Sequence, residues 1–317
     1  MKLYGFVQKA WHMPLMKKTI LGVAGIIPTA LYLKIIFKGK LGYSLNLDNP
    51  QTFNEKLNWL KLNYHKNIFT KMADKYEVKP FVIARIGEEY VIPTYGVYSS
   101  FDEIDFDKLP NQFMMKVTHD SGSQIVCTDK SKLDKDKARA ILEKGLKQNY
   151  YLVNREWPYK NIPPRIIIEK LIPQLGYDNS IEYKVSTFNG KVKFVTVCEG
   201  PAHEEIERRH NDHFDVNGNV IDFVATFHHA PHPVNAPKCM NELIRLSEIL
   251  AKDTPYLRVD WYEVDEKLLF GELTFYTWGG YCHFEPKEYD KILGEWITLP
   301  DACYEEPDKT LSDAELK

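Results

Sequence analysis

Apolar and polar positions follow two rhythms along this chain, and the changes of rhythm divide it into elements. In "NPQTFNEKLNWLKL" (residues 49–62) leucines recur at helical spacing, and Thr52 with Glu55 forms a capping box, so a helix is predicted. Residues 72–87, "MADKYEVKPFVIARIG", predict a second helix stopped by Gly87. A short strand (90–98) precedes an acidic linker, "FDEIDFDKLP". Residues 112–127 read as strand, Gly/Ser loop and strand, 131–148 as an amphipathic helix, and 163–173 as a buried strand bounded by prolines. Residues 181–200 form a hairpin with Asn189-Gly190 at its turn, the strongest short hairpin signal. A helix over 241–253 leads into "LRVDWYEVDEKLLFGELTF" (257–275), a second hairpin, and the chain closes on a polar tail. There is no internal repeat and no low-complexity tract.

The N-terminal run "TILGVAGIIPTALYLKIIF" (19–37) lies between lysine pairs, and Lys34 interrupts it. Its longest charge-free stretch, 20–33, falls short of the roughly 20 apolar residues a span needs. No convincing signal-cleavage site follows it, and Pro28 is expected to kink a helix there. The run reads as a packed or interfacial helix whose flanking lysines favour an anionic membrane surface.

Composition narrows the classes. A chain of 317 residues with 44% hydrophobic and 27% charged residues is ordinary globular material, large enough for a sizeable core. A net charge of −3 gives no global field for nucleic acid. Five cysteines without a CxxC indicate neither a disulfide framework nor a zinc site, which favours a reducing cytoplasm.

The late hairpin carries the sharpest chemistry. With a three-residue turn, Asp265-Glu266-Lys267, Val264 faces Leu268 and Asp260 falls directly opposite Glu272 on one face. Opposed Cβ atoms lie roughly 4.5–5.5 Å apart, where like charges repel. A cation between the acids, or protonation of one, relieves the repulsion. A register change of one residue instead puts them on opposite faces, and two acids hanging into water is the bland alternative.

Lysines recur at strand-related positions: Lys75, Lys116 and Lys184. Lys116 closes a strand just before "THDSGS", a loop able to turn backbone N–H groups toward an anion, although a surface lysine before an ordinary turn is the plainer reading. It is neither a Walker A motif nor GxGxxG. His228 and His232 lack supporting ligands at metal-binding spacing, so they read as surface or acceptor-pocket loop. "ERRHNDHFD" places Arg208 and Arg209 where they could pair an acidic acceptor bidentately, but a solvated charge run is favoured.

Five segments, "ADKYEVKPFVIARIGEEYVIPTYGVY", "FMMKVTHDSGS", "IIIEKLIP", "IEYKV" and "LRVDWYEVDEKLLFGELTF", occur in the order and spacing of ATP-grasp enzymes, and the chain most closely resembles the TupA-like ATP-grasp family over roughly residues 41–300. The resemblance implies an α+β ATP-grasp fold in which two subdomains clamp a nucleotide. It implies an N-terminal helical segment (1–40), a pre-ATP-grasp region (41–111), a small subdomain (112–173), a large subdomain (174–300) and a tail (301–317). Lys75 and Lys116 then match the phosphate lysines, and Ser121, Gly122 and Ser123 the loop over the phosphates. Glu169, Lys170, Leu171 and Ile172 match the adenine hinge, and Glu182 the ribose acid. Lys184 and Arg258 join Lys116 at the transferred phosphate. Asp260 and Glu272 match Mg2+ ligands. Thr274 stands where relatives of this fold commonly carry Asn, which leaves the number of ions open.

The activity implied is an ATP- and Mg2+-dependent carboxylate–amine ligase working through an acylphosphate in surface polysaccharide or teichuronopeptide assembly. Its partners would be an acidic carbohydrate or amino-acid acceptor and an amine donor. A glycosyltransferase of capsule or lipopolysaccharide synthesis, holding a sugar nucleotide on the same acids, is the alternative. The expected location is the cytoplasm, with peripheral contact at the inner membrane face.

Overall fold

The computed structural model describes residues 26–172, 181–200 and 209–305. The first part of the N-terminal apolar run, Pro173 of the proline-bounded strand, Arg208 and the polar tail beyond residue 305 lie outside the described residues.

Helix α1 (Thr29–Leu41) begins directly after Pro28. The expected kink is therefore corrected: proline's fixed φ suits a residue opening a helix, so Pro28 starts this one. Tyr32, Leu33, Ile36 and Phe37 are buried on one side of α1, while Leu31 and Ile35 are exposed. No helix among the described residues is long and apolar enough to cross a membrane.

Helix α2 (Phe53–Asn63) has the expected capping box. The Thr52 hydroxyl accepts from Glu55 N at 3.2 Å, and the Glu55 carboxylate accepts from Thr52 N at 3.1 Å. The single helix expected over 72–87 is two, α3 (Asn67–Ala73) and α4 (Val78–Ile86). Asp74 breaks it by taking up Tyr76 N at 2.8 Å and the Arg165 guanidinium at 2.8 Å, a side-chain competitor to the helical ladder. The break frees Lys75 N to bond Thr118 O at 3.2 Å, which ties this corner to the strand carrying Lys116.

Four antiparallel strands form a first sheet, β1 (Thr94–Tyr98), β2 (Phe113–Val117), β3 (Gln124–Cys127) and β4 (Ile166–Lys170), in the order β1-β4-β2-β3. The strand expected from residue 90 thus starts at Thr94, after a 3₁₀ turn at Glu88–Tyr90. Phe113, Met115 and Val117 point to one side, where Ala138 and Leu142 of α5 (Lys135–Leu146) cover them. The period of two sends Met114 and Lys116 to the other side.

A second antiparallel sheet holds β5 (Ile181–Phe188), β6 (Lys191–Glu199), β7 (His210–Asp215), β8 (Tyr256–Val264) and β9 (Lys267–Thr274), ordered β9-β8-β5-β6-β7. Asn189 and Gly190 join β5 to β6 with φ of 51° and 74°, as an Asn-Gly hairpin demands. One face of the sheet is dry. Val185, Val195, Val197, Leu257, Val259 and Trp261 cluster with Leu243, Leu246 and Leu250 of α6 (Met240–Leu250). Trp261 is fully buried there, and its indole N–H is satisfied by Ser247 Oγ at 2.9 Å. The charge-rich 210–215 segment is a strand and not the solvated run expected. Its alternation sends Asn211 and His213 to the opposite, polar face, and that face is the floor of the site.

Candidate active site

A 590 Å³ cavity lies between the two sheets, with Lys75, Lys116 and Glu169 on one wall and Glu182, Lys184, Arg258 and Glu272 on the other. It is built from the polar positions of strands whose alternate residues make the two cores.

The β8–β9 hairpin reaches the expected pairing by a different path. Its turn has two residues, Asp265 and Glu266, with φ of 50° and 61°, and Lys267 pairs with Val264. The three-residue turn is corrected accordingly. A two-residue turn alone would slip the register, but a bulge between Asp260 and Trp261 restores it, and Asp260 pairs with Glu272. Gly271 supplies the extra residue. A Cβ there would stand 3.0 Å from Asp260 O and 3.0 Å from the Tyr262 ring, so a side chain would press on the bulge.

The cation that relieves the opposed acids is a guanidinium. Arg258 Nε donates to Asp260 Oδ1 at 2.6 Å, and Arg258 Nη2 to Asp260 Oδ2 at 2.6 Å and to Glu272 Oε1 at 3.3 Å. Lys184, opposite Asp260 on β5, donates to Asp260 Oδ2 at 2.8 Å and lies 2.9 Å from Glu182. Arg209 closes the chain on the other oxygen of Glu182. Burial by itself would raise the Asp260 pKa. The Arg258 and Lys184 charges more than reverse this and hold the carboxyl below its usual range. Lys184 is held above its ordinary value despite burial, by Asp260 and then Glu182.

Across the cleft, Glu169 is buried between two lysines, with Lys79 Nζ at 2.5 Å and Lys116 Nζ at 3.0 Å. Lys79 also donates to Ile92 O at 2.7 Å and Thr94 Oγ1 at 2.6 Å. Burial would raise the Glu169 pKa, and the two ammonium groups bring it below the ordinary value. Lys75 bonds the backbone carbonyl of Asp120 in the Gly/Ser loop. Burial lowers its pKa, opposed by the charges of Glu272 and Asp120, so Lys75 looks across to the hairpin.

Most expected site residues meet here: Lys75, Lys116, Ser121, Gly122, Glu169, Glu182, Lys184, Arg258, Glu272 and Thr274 all line the cavity. Asp260 lies beneath Arg258, fully buried. Four residues are placed otherwise. Ser123 stands against Gly145 of α5, Lys170 is exposed with its N–H on Pro93 O, and Leu171 and Ile172 are not among the lining residues. Sequence reasoning missed Lys79, Asn211, and His213 as a floor residue. Lys79 stands four residues after Lys75, a spacing that was visible, whereas the strand bearing Asn211 and His213 was masked by its charges.

The donor set suits Mg2+: two carboxylates and a hydroxyl, all oxygen, for an ion that takes one or two protein carboxylates and completes its shell with water and phosphate. Glu272 is half exposed, and the Thr274 hydroxyl donates to its Oε1 at 3.2 Å. Asp260 becomes available to an ion only as Arg258 turns aside. Among the described residues no group of three or more His, Cys, Asp or Glu is placed to hold a metal, and His232 Nε2 lies 3.2 Å from Glu199.

Two antiparallel sheets closing on a cleft, lysines on one and an acid-bearing hairpin on the other, make this an ATP-grasp architecture. The TupA-like ATPgrasp family model matches residues 55–298, and the chain belongs to that family. No curated protein matches it. Similar solved structures include a D-alanine–D-alanine ligase from Bacillus anthracis complexed with ATP, 16% identical with a TM-score of 0.37, the match covering 70% of this chain and 57% of that one. The ADP complex of N5-carboxyaminoimidazole ribonucleotide synthetase is 15% identical with a TM-score of 0.41, covering 69% and 49%. D-cycloserine synthetase is 13% identical with a TM-score of 0.39, covering 65% and 62%. The chain therefore spans less than two-thirds of the length of each.

Proposed function

We propose that the protein is an ATP- and Mg2+-dependent carboxylate–amine ligase acting through an acylphosphate, in the assembly of a capsular, lipopolysaccharide or teichuronopeptide polysaccharide. The observation that carries the reading is Arg258 spanning both acids of the hairpin beside Lys184, with Lys75 and Lys116 facing them across the cleft. Family membership supports an ATP-grasp ligase; the carboxylate–amine chemistry and the polysaccharide setting extend the resemblance carried by the sequence motifs.

In this reading Lys75 and Lys116 neutralise the triphosphate as point charges. Glu182 receives the ribose, and the backbone beside Glu169 receives adenine. Glu272 and Asp260 would hold Mg2+, which would supply charge neutralisation at the phosphates. The acceptor carboxylate attacks the γ-phosphorus and ADP leaves with the bridging oxygen. Lys184, which also keeps Glu182 at 2.9 Å, is placed where charge builds on the transferred group, and Arg258, once it has turned from Asp260, joins it there. The amine then adds to the acyl carbon, phosphate departs with its electron pair, and the amine nitrogen gives up a proton.

Thermal-shift measurements compare ATP with Mg2+ against UDP- and GDP-sugars, and phosphate release is then followed with panels of uronic acids, acidic amino acids and amines. Stabilisation by ATP with Mg2+, and phosphate release dependent on both acceptors, are expected. Stabilisation by a sugar nucleotide and not by ATP would overturn the reading in favour of glycosyl transfer.

A further inference from the structure

Beyond Lys184 and Arg258 the cavity continues over β6 and β7, and its floor there changes character. Ser186, Thr196, Asn211 and His213 line it, each less than a tenth exposed and none carrying a net charge. His213 Nδ1 lies 2.8 Å from Thr196 Oγ1, and its ring stacks on Phe223 at 4.0 Å. Burial, reinforced by the neighbouring charge of His229, pushes this imidazole down to about 3, so it is neutral throughout the physiological range. His213 Nε2 and Asn211 Oδ1 are both buried without a hydrogen-bond partner. Buried polar atoms are nearly always paired, so two orphans on adjacent positions of a cavity floor point to a ligand.

Arg209 borders this floor beside Asn211 with its buried Nε unpaired, but its charge is already matched by Glu182, as that of Arg258 is by Asp260. An anion would have to compete with those carboxylates, and an apolar body would leave the orphans unsatisfied. A hydroxyl group gives and accepts, so it satisfies Asn211 Oδ1 and either tautomer of His213. Lys184 lies opposite Thr196, and Thr196 opposite His213. That is two strand spacings, about 10 Å, from the phosphate-facing lysine to the orphans. A ligand reacting above Lys184 must extend across this distance to meet them.

We propose that this lobe is the amine subsite and that it selects an uncharged, polyhydroxylated body behind the reacting amine. The assignment rests on the ligase reading and adds the chemical class of the second substrate. The floor groups are binding residues, and none takes part in proton transfer.

The experiment uses the full chain saturated with ADP and Mg2+, titrated with three amines while binding is followed by calorimetry: glucosamine, cyclohexylamine (the same six-membered ring without hydroxyls) and glutamate. Glucosamine is expected to bind saturably, at least tenfold more tightly than either comparator. In Asn211→Leu and His213→Phe its affinity falls at least tenfold while ADP affinity stays within twofold. ADP affinity and the thermal transition report folding, and if His213→Phe fails to fold, Asn211→Leu decides. Equal binding of the three amines, no binding of glucosamine, or binding indifferent to Asn211→Leu would overturn the subsite. Failure of ADP to bind the unaltered protein would instead sink the nucleotide reading, and the first titration distinguishes the two.

Discussion

Asp260→Asn puts the central hairpin on trial. The carboxylate is fully buried and accepts three charge-assisted bonds, two from Arg258 at 2.6 Å and one from Lys184 at 2.8 Å. After the substitution Arg258 keeps Glu272 at 3.3 Å, and Lys184 keeps Glu182 at 2.9 Å. Removing one partner of a buried ion pair destabilises by about 3–5 kcal/mol. Here both cations retain a second carboxylate and the amide still offers one oxygen, so the loss should be about 3 kcal/mol, on the order of 100-fold in the folding constant. Urea unfolding at pH 7, followed by tryptophan fluorescence, measures it. A parallel titration with a non-hydrolysable ATP analogue, with and without Mg2+, reads the metal role separately. We expect the variant to bind the analogue no better with Mg2+ than without. Unchanged stability would refute the buried network, and full Mg2+ dependence in a destabilised variant would leave Asp260 as a counter-ion and refute its place at the metal.

Lys79→Met removes the donor shared by Glu169, Ile92 O and Thr94 Oγ1; a stability loss of about 3 kcal/mol in urea, with weaker analogue binding in calorimetry, is expected. Gly271→Ala sets a methyl 3.0 Å from Asp260 O, so unfolding should become easier by about 1–3 kcal/mol, and the Mg2+ requirement for nucleotide binding should rise as Glu272 is displaced. His213→Phe should flatten the acid limb of stability. The folded-state value is about 3 against a reference of 6.5, so between them the unfolded chain holds the extra proton, stability rises with pH across that window, and it is flat above it. At pH 4 the lost term is about 3 kcal/mol, and urea midpoints from pH 4 to 7 in both proteins would show it; parallel limbs would mean that His213 is not buried as a neutral ring.

The fold was legible where pattern and turn chemistry agreed. The capping box of α2, the Asn-Gly turn and the order of the five segments led to an architecture that the family match bears out. The hairpin shows a subtler case. The turn expected was one residue too long and the bulge at Gly271 was overlooked, and the two errors offset, so the opposed acids came out right. Glycine within a strand was the available signal for that bulge. Asp74 broke a helix that apolar periodicity alone extended, because its carboxylate satisfied local and distant donors together. Strand β7 was illegible for another reason: its core-facing positions are few, and its Asn211 and His213 face a cavity and not open solvent. No spacing rule on a single chain pairs Lys79 with Glu169, which only the sheet brings together.

The bulge has a consequence for how this chain should be compared with others. One residue more at the hairpin tip and one fewer at position 271 would cancel, leaving the two carboxylates across from each other with the tip merely longer. Aligned column by column, two such sequences would show an insertion and a deletion a few residues apart and seem misregistered. In space their opposed acids would superpose, so a lineage could exchange one solution for the other without disturbing that pairing.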